Sequence, residues 1–523
     1  MEHHSGPFSI PAIHHFIPEK IKPWIIIFFV LCFQLSGGIY LAAVGEMVGS
    51  LALKQQDIMM AGYASMVGMS LTFSIMFRLK FAFKPKVSLL VCAAAIIICN
   101  LISMHTSSVP VLVAACFIAG IFRMWGTFEC NSTIQLWLTP KRDMSIFFCY
   151  VYLLVQGCIQ LSGLTTIYTA FFSKWEYMHY AIIGLLLVMM LAVMLLYNNK
   201  RFMRKLPLYG IDWLGGLLWG VSAMSVIFLC VYGEYYDWWD SQWIVAAAVI
   251  AVVSLALNLW RASFIRHPFI ELSTWRYPVV WITVLLYLVF DLLIAPSHLL
   301  EHIYMEQILG YDALNVISLN AVVLAGVIIG AVFAYRYFAL RKWSYQTMTA
   351  IGFAAATLYL VFFYFTVDYN LPKEMLVIPI FLRSFGYVIV AICFITALMR
   401  VPFNCFFQTI TIQGFFSAGI AGVMGTAIVE HFFKLLFAKN SMLLSAHIDN
   451  VNPATGSLGF TQLYGAIAEQ SLIVTIKELY GWLALLGIVC LILFAIKKSR
   501  IHPKYVILPA FRTIRRMIGR EIN

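Results

Sequence analysis

The chain has 523 residues, 62% of them hydrophobic and 11% charged, with a mean hydropathy of +0.89. Soluble domains carry about 25% charged residues, so a water-solvated surface for this much apolar sequence is excluded and lipid is the alternative solvent. The net charge of +12 then has to be read through membrane topology, and it is no footprint of nucleic-acid binding.

The opening stretch, MEHHSGPFSIPAIHHFIPEKIKPW, has no short apolar core followed by a small-residue cleavage site, so no cleavable signal peptide is expected. Its histidine pairs, His3/His4 and His14/His15, read as a solvated tail rather than as a metal site. Beyond it, apolar runs bounded by charges and Pro/Gly predict fourteen helices. They fall near 24–45, 57–77, 87–104, 110–138, 144–172, 177–197 and 211–232, then 242–260, 278–298, 315–338, 346–367, 375–399, 406–430 and 474–496. The segment 431–473, with its turn-rich NVNPATGSLG, is expected to be an outer loop.

Charge tests this count. With the N-terminus inside, the inner connections hold 27 of the 35 basic residues and the outer ones six; the remaining two, Arg123 and Arg383, lie within helices. One helix more or fewer would scramble that alternation, so both termini are expected in the cytoplasm. The tail KYVILPAFRTIRRMIGREIN places Phe511, Ile514 and Ile518 on one helical face with arginines elsewhere. That pattern suits either an interfacial helix or plain positive-inside bias. The eleven cysteines are scattered through apolar runs and read as small buried residues, not as a disulfide or metal framework. No GxxxxGKS/T phosphate loop is present, so the chain supplies no ATPase of its own.

Arg123 in FRMWG and Arg383 in LRSFG are 260 positions apart, and the flanking basic loops repeat at nearly that distance: Arg78 to Arg336, and Arg142 to Arg400. Each arginine falls in the fourth helix of a six-helix set. This gives an all-α polytopic protein of 6+2+6 helices: an N-terminal segment 1–23, a bundle 24–205, two linker helices in 206–270, a bundle 271–496 with outer loop 431–473, and a basic tail 497–523. Weak internal symmetry of this kind is a feature of transporters built from two parallel halves.

The stretches IDWLG (211–215), GEYYDWWDSQW (233–243), RHPFIELSTWRYP (266–278), LGYDALNVI (309–317) and KWEYMHY (174–180) resemble the fourteen-helix drug:proton antiporters of the major facilitator superfamily, the EmrB/QacA type. Departures accompany the likeness. Where that family's first helix carries Asp, Asn and Pro, this chain has Ser36, Leu41 and Gly45. The fifth-helix Gly/Pro motif is reduced to SGLTTI, with Gly163 kept, and the basic loop FRLKFAFKPKV lacks the usual Asp and Gly. Arg123 matches the family's fourth-helix arginine, followed here by Gly126-Thr127. The resemblance implies a major-facilitator fold and, where the host has two membranes, a periplasmic adaptor and an outer-membrane channel as partners.

An arginine at mid-bilayer costs about 2.5–3.5 kcal/mol on insertion scales, so it must face protein or a watery cavity. Gly126, Thr127, Cys130 and Ile134 share the helical face of Arg123; Glu129 lies about 120° away and cannot be its intrahelical partner. Arginine stays protonated, so proton movement falls to a buried carboxyl group, whose pKa desolvation lifts and a nearby arginine lowers. The candidates for coupling or for lining the cavity are Asp291, with Pro296 offering a helix break just beyond it, Arg123, Glu129, Arg383 and Glu46. Arg123 is expected to face the central cavity, and Arg383, beside Gly386, Tyr387 and Val390, to be packed structurally. His298, Glu301, His302 and Glu306 are expected in a solvated outer loop. Trp238, Trp239 and Trp243 suit the outer interface. Tyr40, Tyr63, Trp125 and Tyr287 suit either a cavity wall or core packing.

The expected function is proton-coupled export of hydrophobic or amphipathic compounds across the plasma (inner) membrane by alternating access, with no cofactor or metal. Uptake, or movement of a lipid-like or siderophore-like solute, is the alternative within transport. A membrane enzyme acting on lipid-linked substrates fits less well, because the outer segment carries only His447, Asp449 and Glu469 and an enzyme gives no reason for the repeat.

Overall fold

The computed structural model describes residues 12–37, 48, 53–139, 143–200, 205–446 and 459–496. Among these the regular structure is helical, with one isolated bridge between Ile13 and Tyr197. Among the described residues thirteen helices are long and apolar enough to cross a membrane, and Lys22–Leu35 is a shorter apolar helix ahead of them. The protein is a multi-pass membrane protein.

In chain order the helices are α1 (Lys22–Leu35), α2 (Gln55–Ala82), α3 (Pro85–His105), α4 (Val109–Leu138), α5 (Met144–Phe172) and α6 (Glu176–Leu196). Next come α7 (Trp213–Tyr232), α8 (Gln242–Phe264) and α9 (Pro278–Ile294), which carries on through a tight turn at Ala295–His298 to Ile308. The chain then forms α10 (Asn320–Phe333, entered through Ala313–Ser318 and ending in a wide turn, Ala334–Leu340), α11 (Tyr345–Thr366) and α12 (Lys373–Leu398). Last are α13 (Phe403–Phe415, a wide turn Phe416–Ile420, then Ala421–Ala446) and α14 (Phe460–Ile496). The starts follow local chemistry. Pro85 and Pro278 occupy first-turn positions that need no N–H, and the Asp143, Asp212 and Ser344 side chains accept from first-turn N–H groups of α5, α7 and α11.

The buried apolar side chains separate into clusters. One is drawn from α1, α2, α3, α4 and α6, and another mainly from α9 to α14. In the seam between them α2 packs on α13, and α5 packs on α10 and α12. Within each group the tightest crossings use glycine. A Cβ at Gly68 or Gly120 would collide with the carbonyls of Phe117 or Ser65, locking α2 to α4; one at Gly326 would collide with Ser384, locking α10 to α12. Gly68 and Gly326 are 258 positions apart, the spacing that also relates Arg78 to Arg336. Lipid gives no hydrophobic drive to helix association, so such close backbone approach, with its dispersion contacts, holds the bundle. Large apolar residues such as Leu191, Val252 and Leu485 point outward toward lipid.

Three expectations are corrected. Residues 431–473 are not a loop where described, since α13 runs on to Ala446 and α14 begins at Phe460. The two extensions are joined by Asn440, which donates to Thr475 at 3.0 Å and to Glu478 at 3.3 Å, and by Phe432 against Trp482. The N-terminal stretch is not a solvated tail throughout. Ala12, Ile13 and Ile17 are buried against the end of α6, where the His14 N–H donates to the Leu196 carbonyl at 2.9 Å. Glu301 is buried rather than solvated, because the apolar residues Leu299, Leu300 and Ile303 carry the helix onward into the core. Glu46, Tyr40, most of segment 38–52, the NVNPATGSLG stretch and the basic tail lie outside the described residues.

Candidate functional site

Asp291 lies on α9 where that helix meets the seam, four residues before its α-helical hydrogen bonding breaks. Pro296 sits within the tight turn that follows, as the sequence suggests. Gly425 of α13 crosses here, its glycine position facing Asp291 O, Leu292 and Ala295. The Asp291 side chain is buried, and Oδ2 has no hydrogen-bond partner among the described residues. Tyr63 of α2, Tyr287 of α9 and Tyr387 of α12 are within electrostatic reach of the carboxylate. Tyr287 in turn approaches Tyr152 of α5, and Tyr387 approaches Gln156 of α5. One carboxyl group is thus ringed by phenols from both sides of the seam. Tyr63, Tyr152, Gln156 and Tyr387 are each partly exposed. A buried carboxylate without a full set of donors is costly when ionised.

The two arginines have different company. Arg123 on α4 is 6% exposed; it contacts the Met69 sulfur on α2, its Nε has no partner among the described residues, and a Cβ at Gly37 would fall on its guanidinium. Beside it the Gln34 amide donates to Thr127 at 2.8 Å, and the Phe33 ring covers Gly126. Arg383 on α12 instead forms an ion pair of 3.2 Å with Glu301 and lies 5.9 Å from the centre of the Tyr359 ring. Of the two arginines, Arg383 is the one paired with a carboxylate among the described residues. Glu129 does not join either arginine. It is buried within the N-terminal group, where Lys80 is the cation that acts on it, with neither carboxylate oxygen hydrogen-bonded among the described residues. Trp125 is likewise core, stacked near Phe83 and Phe122.

At the end of the bundle carrying the Arg78 and Arg336 loops the halves are in contact. Ser74 Oγ and Thr411 Oγ1 are 2.7 Å apart, the Phe77 and Phe407 ring centres are 5.4 Å apart, and Met144, Phe147 and Phe148 pack on Ile395, Met399 and Phe406. Lys342, after α10, bridges to Asp143 and donates to Ser145 at 3.1 Å. At the opposite end, Glu234 after α7 binds Trp238 at 2.6 Å, Lys434 at 3.2 Å and His431 at 3.4 Å, joining the α7–α8 connection to α13.

Reading the sequence put Glu301 in a solvated loop and missed Tyr152, Gln156, the Asp143–Lys342 bridge and Gln413, which is buried on α13 with both amide atoms unpartnered among the described residues. Only Glu301 left a signal: the apolar spacing of Leu299, Leu300 and Ile303 continues α9 past Pro296. Among the described residues no group of three metal-ligating side chains occurs.

No family model matches the sequence, and no curated protein sequence matches it either. Solved structures do. A proton-dependent oligopeptide transporter is 14% identical with a TM-score of 0.57, covering 91% of this chain and 98% of its own. The nucleoside transporter NupG is 11% identical with a TM-score of 0.53, covering 91% and 99%. The proton:xylose symporter XylE of the major facilitator superfamily is 13% identical with a TM-score of 0.50, covering 94% and 98%. The chain has a major-facilitator-type fold.

Proposed function

We propose that this protein is a proton-coupled secondary transporter that moves small molecules by alternating access between its two halves, α1–α6 and α9–α14, with α7 and α8 as an inserted pair. The observation that carries this reading is Asp291, a buried carboxyl group with an unpartnered oxygen amid tyrosines from both sides of the seam. A group so placed exchanges a proton with whichever side the seam opens to. Positive-inside alternation puts both termini and the Arg78/Arg336 end in the cytoplasm, so the contacts of Ser74–Thr411 and Lys342–Asp143 describe a path closed toward the cytoplasm. The phenol-rich wall suits hydrophobic or amphipathic guests, and with the sequence resemblance it favours efflux from the plasma (inner) membrane by a member of the EmrB/QacA-type branch, with an adaptor and outer channel where two membranes are present.

A second reading is uptake by symport. It is favoured by the similarity to a proton-dependent oligopeptide transporter and a proton:xylose symporter. One experiment separates the two: accumulation of several dyes and antibiotics in cells with and without the protein, before and after collapse of the proton gradient. Lower accumulation that rises on collapse supports export, and higher accumulation that falls supports uptake. No gradient-dependent difference for any compound would sink the transport reading.

A further inference from the structure

The connection from α7 to α8, GEYYDWWDSQW, touches both α2 and α13 at the end opposite the Ser74–Thr411 contact. Toward α2, the Tyr232 hydroxyl at the end of α7 donates to Asp57. Lys54 donates to the Tyr235 hydroxyl at 2.6 Å, its ammonium 4.2 Å from the centre of that ring. Asp57 also accepts from the Lys54 N–H at 3.1 Å, so one carboxylate fixes the start of α2 and holds the end of α7. Toward α13, Glu234 lies 3.2 Å from Lys434 and 3.4 Å from His431, and it accepts from the Trp238 indole at 2.6 Å. The Trp238 ring stands edge-on to His431, with 5.8 Å between centres.

The backbone of the connection is bent to make these contacts. Asp237 and Trp238 are consecutive non-glycine residues in the left-handed region, with φ of 56° and 52°. Side chains rarely adopt that conformation, and it persists where the surroundings hold it. Here Glu234 holds the indole, and Gly233 makes room for it, because a Cβ there would fall 2.9 Å from the Trp238 ring. Beside this turn, Cys230 of α7 packs with Val423 and Ala427 of α13.

A segment gripping two bodies cannot keep both grips while the bodies rock against each other. On the transport reading, α2 and α13 belong to opposite halves, so one set of contacts must open in each cycle. The two sets differ in strength. Tyr232 is 5% exposed, which shields its bond to Asp57 from water. Lys434 and His431 are 54% and 44% exposed, so water can take the place of Glu234 at both, and ion pairs of this kind are weak.

We infer that the inserted helix pair carries a latch: its outer connection stays fixed to α2 through Tyr232 and Tyr235, grips α13 through Glu234 while the cytoplasmic path is closed, and lets go of α13 when that path opens. The swing rests on the transport reading; the latch is testable without any transported compound.

The test uses cysteine pairs in the full-length protein in membranes, cross-linked by mild oxidation, with the unaltered chain and its eleven cysteines as background. Glu234→Cys with Lys434→Cys reports the α13 grip, and Lys54→Cys with Tyr235→Cys reports the α2 grip. Thr411→Trp props the cytoplasmic contact apart. In that background the first cross-link should slow about fivefold or more, and the second should stay within about twofold of its ordinary rate. The second pair thereby also checks that the propped protein is folded. Slowing of both, of neither, or of the α2 pair alone overturns the proposal, as does failure of either pair to cross-link in the unpropped protein. A converse measurement places cysteines at Ser74 and Thr411. Glu234→Gln, and separately Lys434→Met, should slow that cross-link about twofold or more, because the latch no longer favours the closed cytoplasmic end. Unchanged rates in both variants overturn the latch. Rates changed as expected, without gradient-driven accumulation of any compound in cells, keep the latch and sink the transport reading. Gradient-driven accumulation with unchanged rates does the reverse.

Discussion

Lys342 reaches across the seam to Asp143, the residue whose carboxylate also caps α5 by accepting from the Ser145 N–H at 3.0 Å. One carboxylate thus fixes a helix start and ties two parts of the chain that are 199 residues apart. Beside it, Ser74 and Thr411 touch across the same seam. Cysteines at Ser74 and Thr411 should cross-link under mild oxidation and arrest transport, with activity returning on reduction. Lys342→Met leaves the cap in place and removes the bridge, so it should lower the cross-link yield by about twofold or more, a shift of a fraction of a kcal/mol in the closed population. A failure to cross-link would show that these faces do not meet in the membrane.

Asp291→Asn keeps the shape of the side chain and removes its ability to carry a proton. Gradient-driven transport should fall by about tenfold or more, while the amount of protein in the membrane stays unchanged. Transport at ordinary rates would assign Asp291 to structure and shift the coupling role to Glu129.

Gly120 is a test of stability without chemistry. A Cβ there meets the Ser65 carbonyl on α2. Gly120→Val should therefore force α2 and α4 apart, at a cost of about 1–3 kcal/mol, read as reduced monodisperse yield and a lower melting temperature. Gly184→Ala is the control, because a Cβ at that position meets nothing within 4 Å.

Glu234 gives a pH-dependent prediction. Burial pushes its carboxyl up, but the Trp238 N–H, Lys434 and His431 together outweigh that and hold it below the ordinary value of 4.5. A carboxyl whose folded value is depressed stabilises the protein above its unfolded value, and that contribution is lost as pH falls through the folded value. Glu234→Gln should lower the melting temperature by a few degrees at neutral pH. The gap should close on acidification below the usual glutamate range. A gap that is the same at acid pH would show that the three contacts act as neutral hydrogen bonds only.

Topology is tested by reporters. One fused after Lys205 should read cytoplasmic, and one inserted between Ala446 and Gly459 should read external. Both on one side would break the alternation of basic loops from which the orientation is drawn.

Membrane class and repeat were legible in the residues themselves. Apolar runs about twenty residues long can satisfy their backbone in lipid only as helices, and the 258–260 spacing of Arg78/Arg336 and Arg123/Arg383 is a property of the string. The same logic singled out Asp291, since a carboxylate deep in LLYLVFDLLIAP stands out without any structure. Partnership was not legible. Sequence spacing reports which residues share a face of one helix, and it is silent on which face of another helix comes to meet it. The packing of the C-terminal helices delivers Glu301 to Arg383 at 3.2 Å, a partnership that no spacing in the sequence announces. The phenols within reach of Asp291 likewise come from α2, α9 and α12, and the bridge from Lys342 to Asp143 spans the seam. In lipid, the close fits of Gly68, Gly120 and Gly326 against opposing backbone set how the helices cross, and those crossings decide which buried charges and phenols become neighbours.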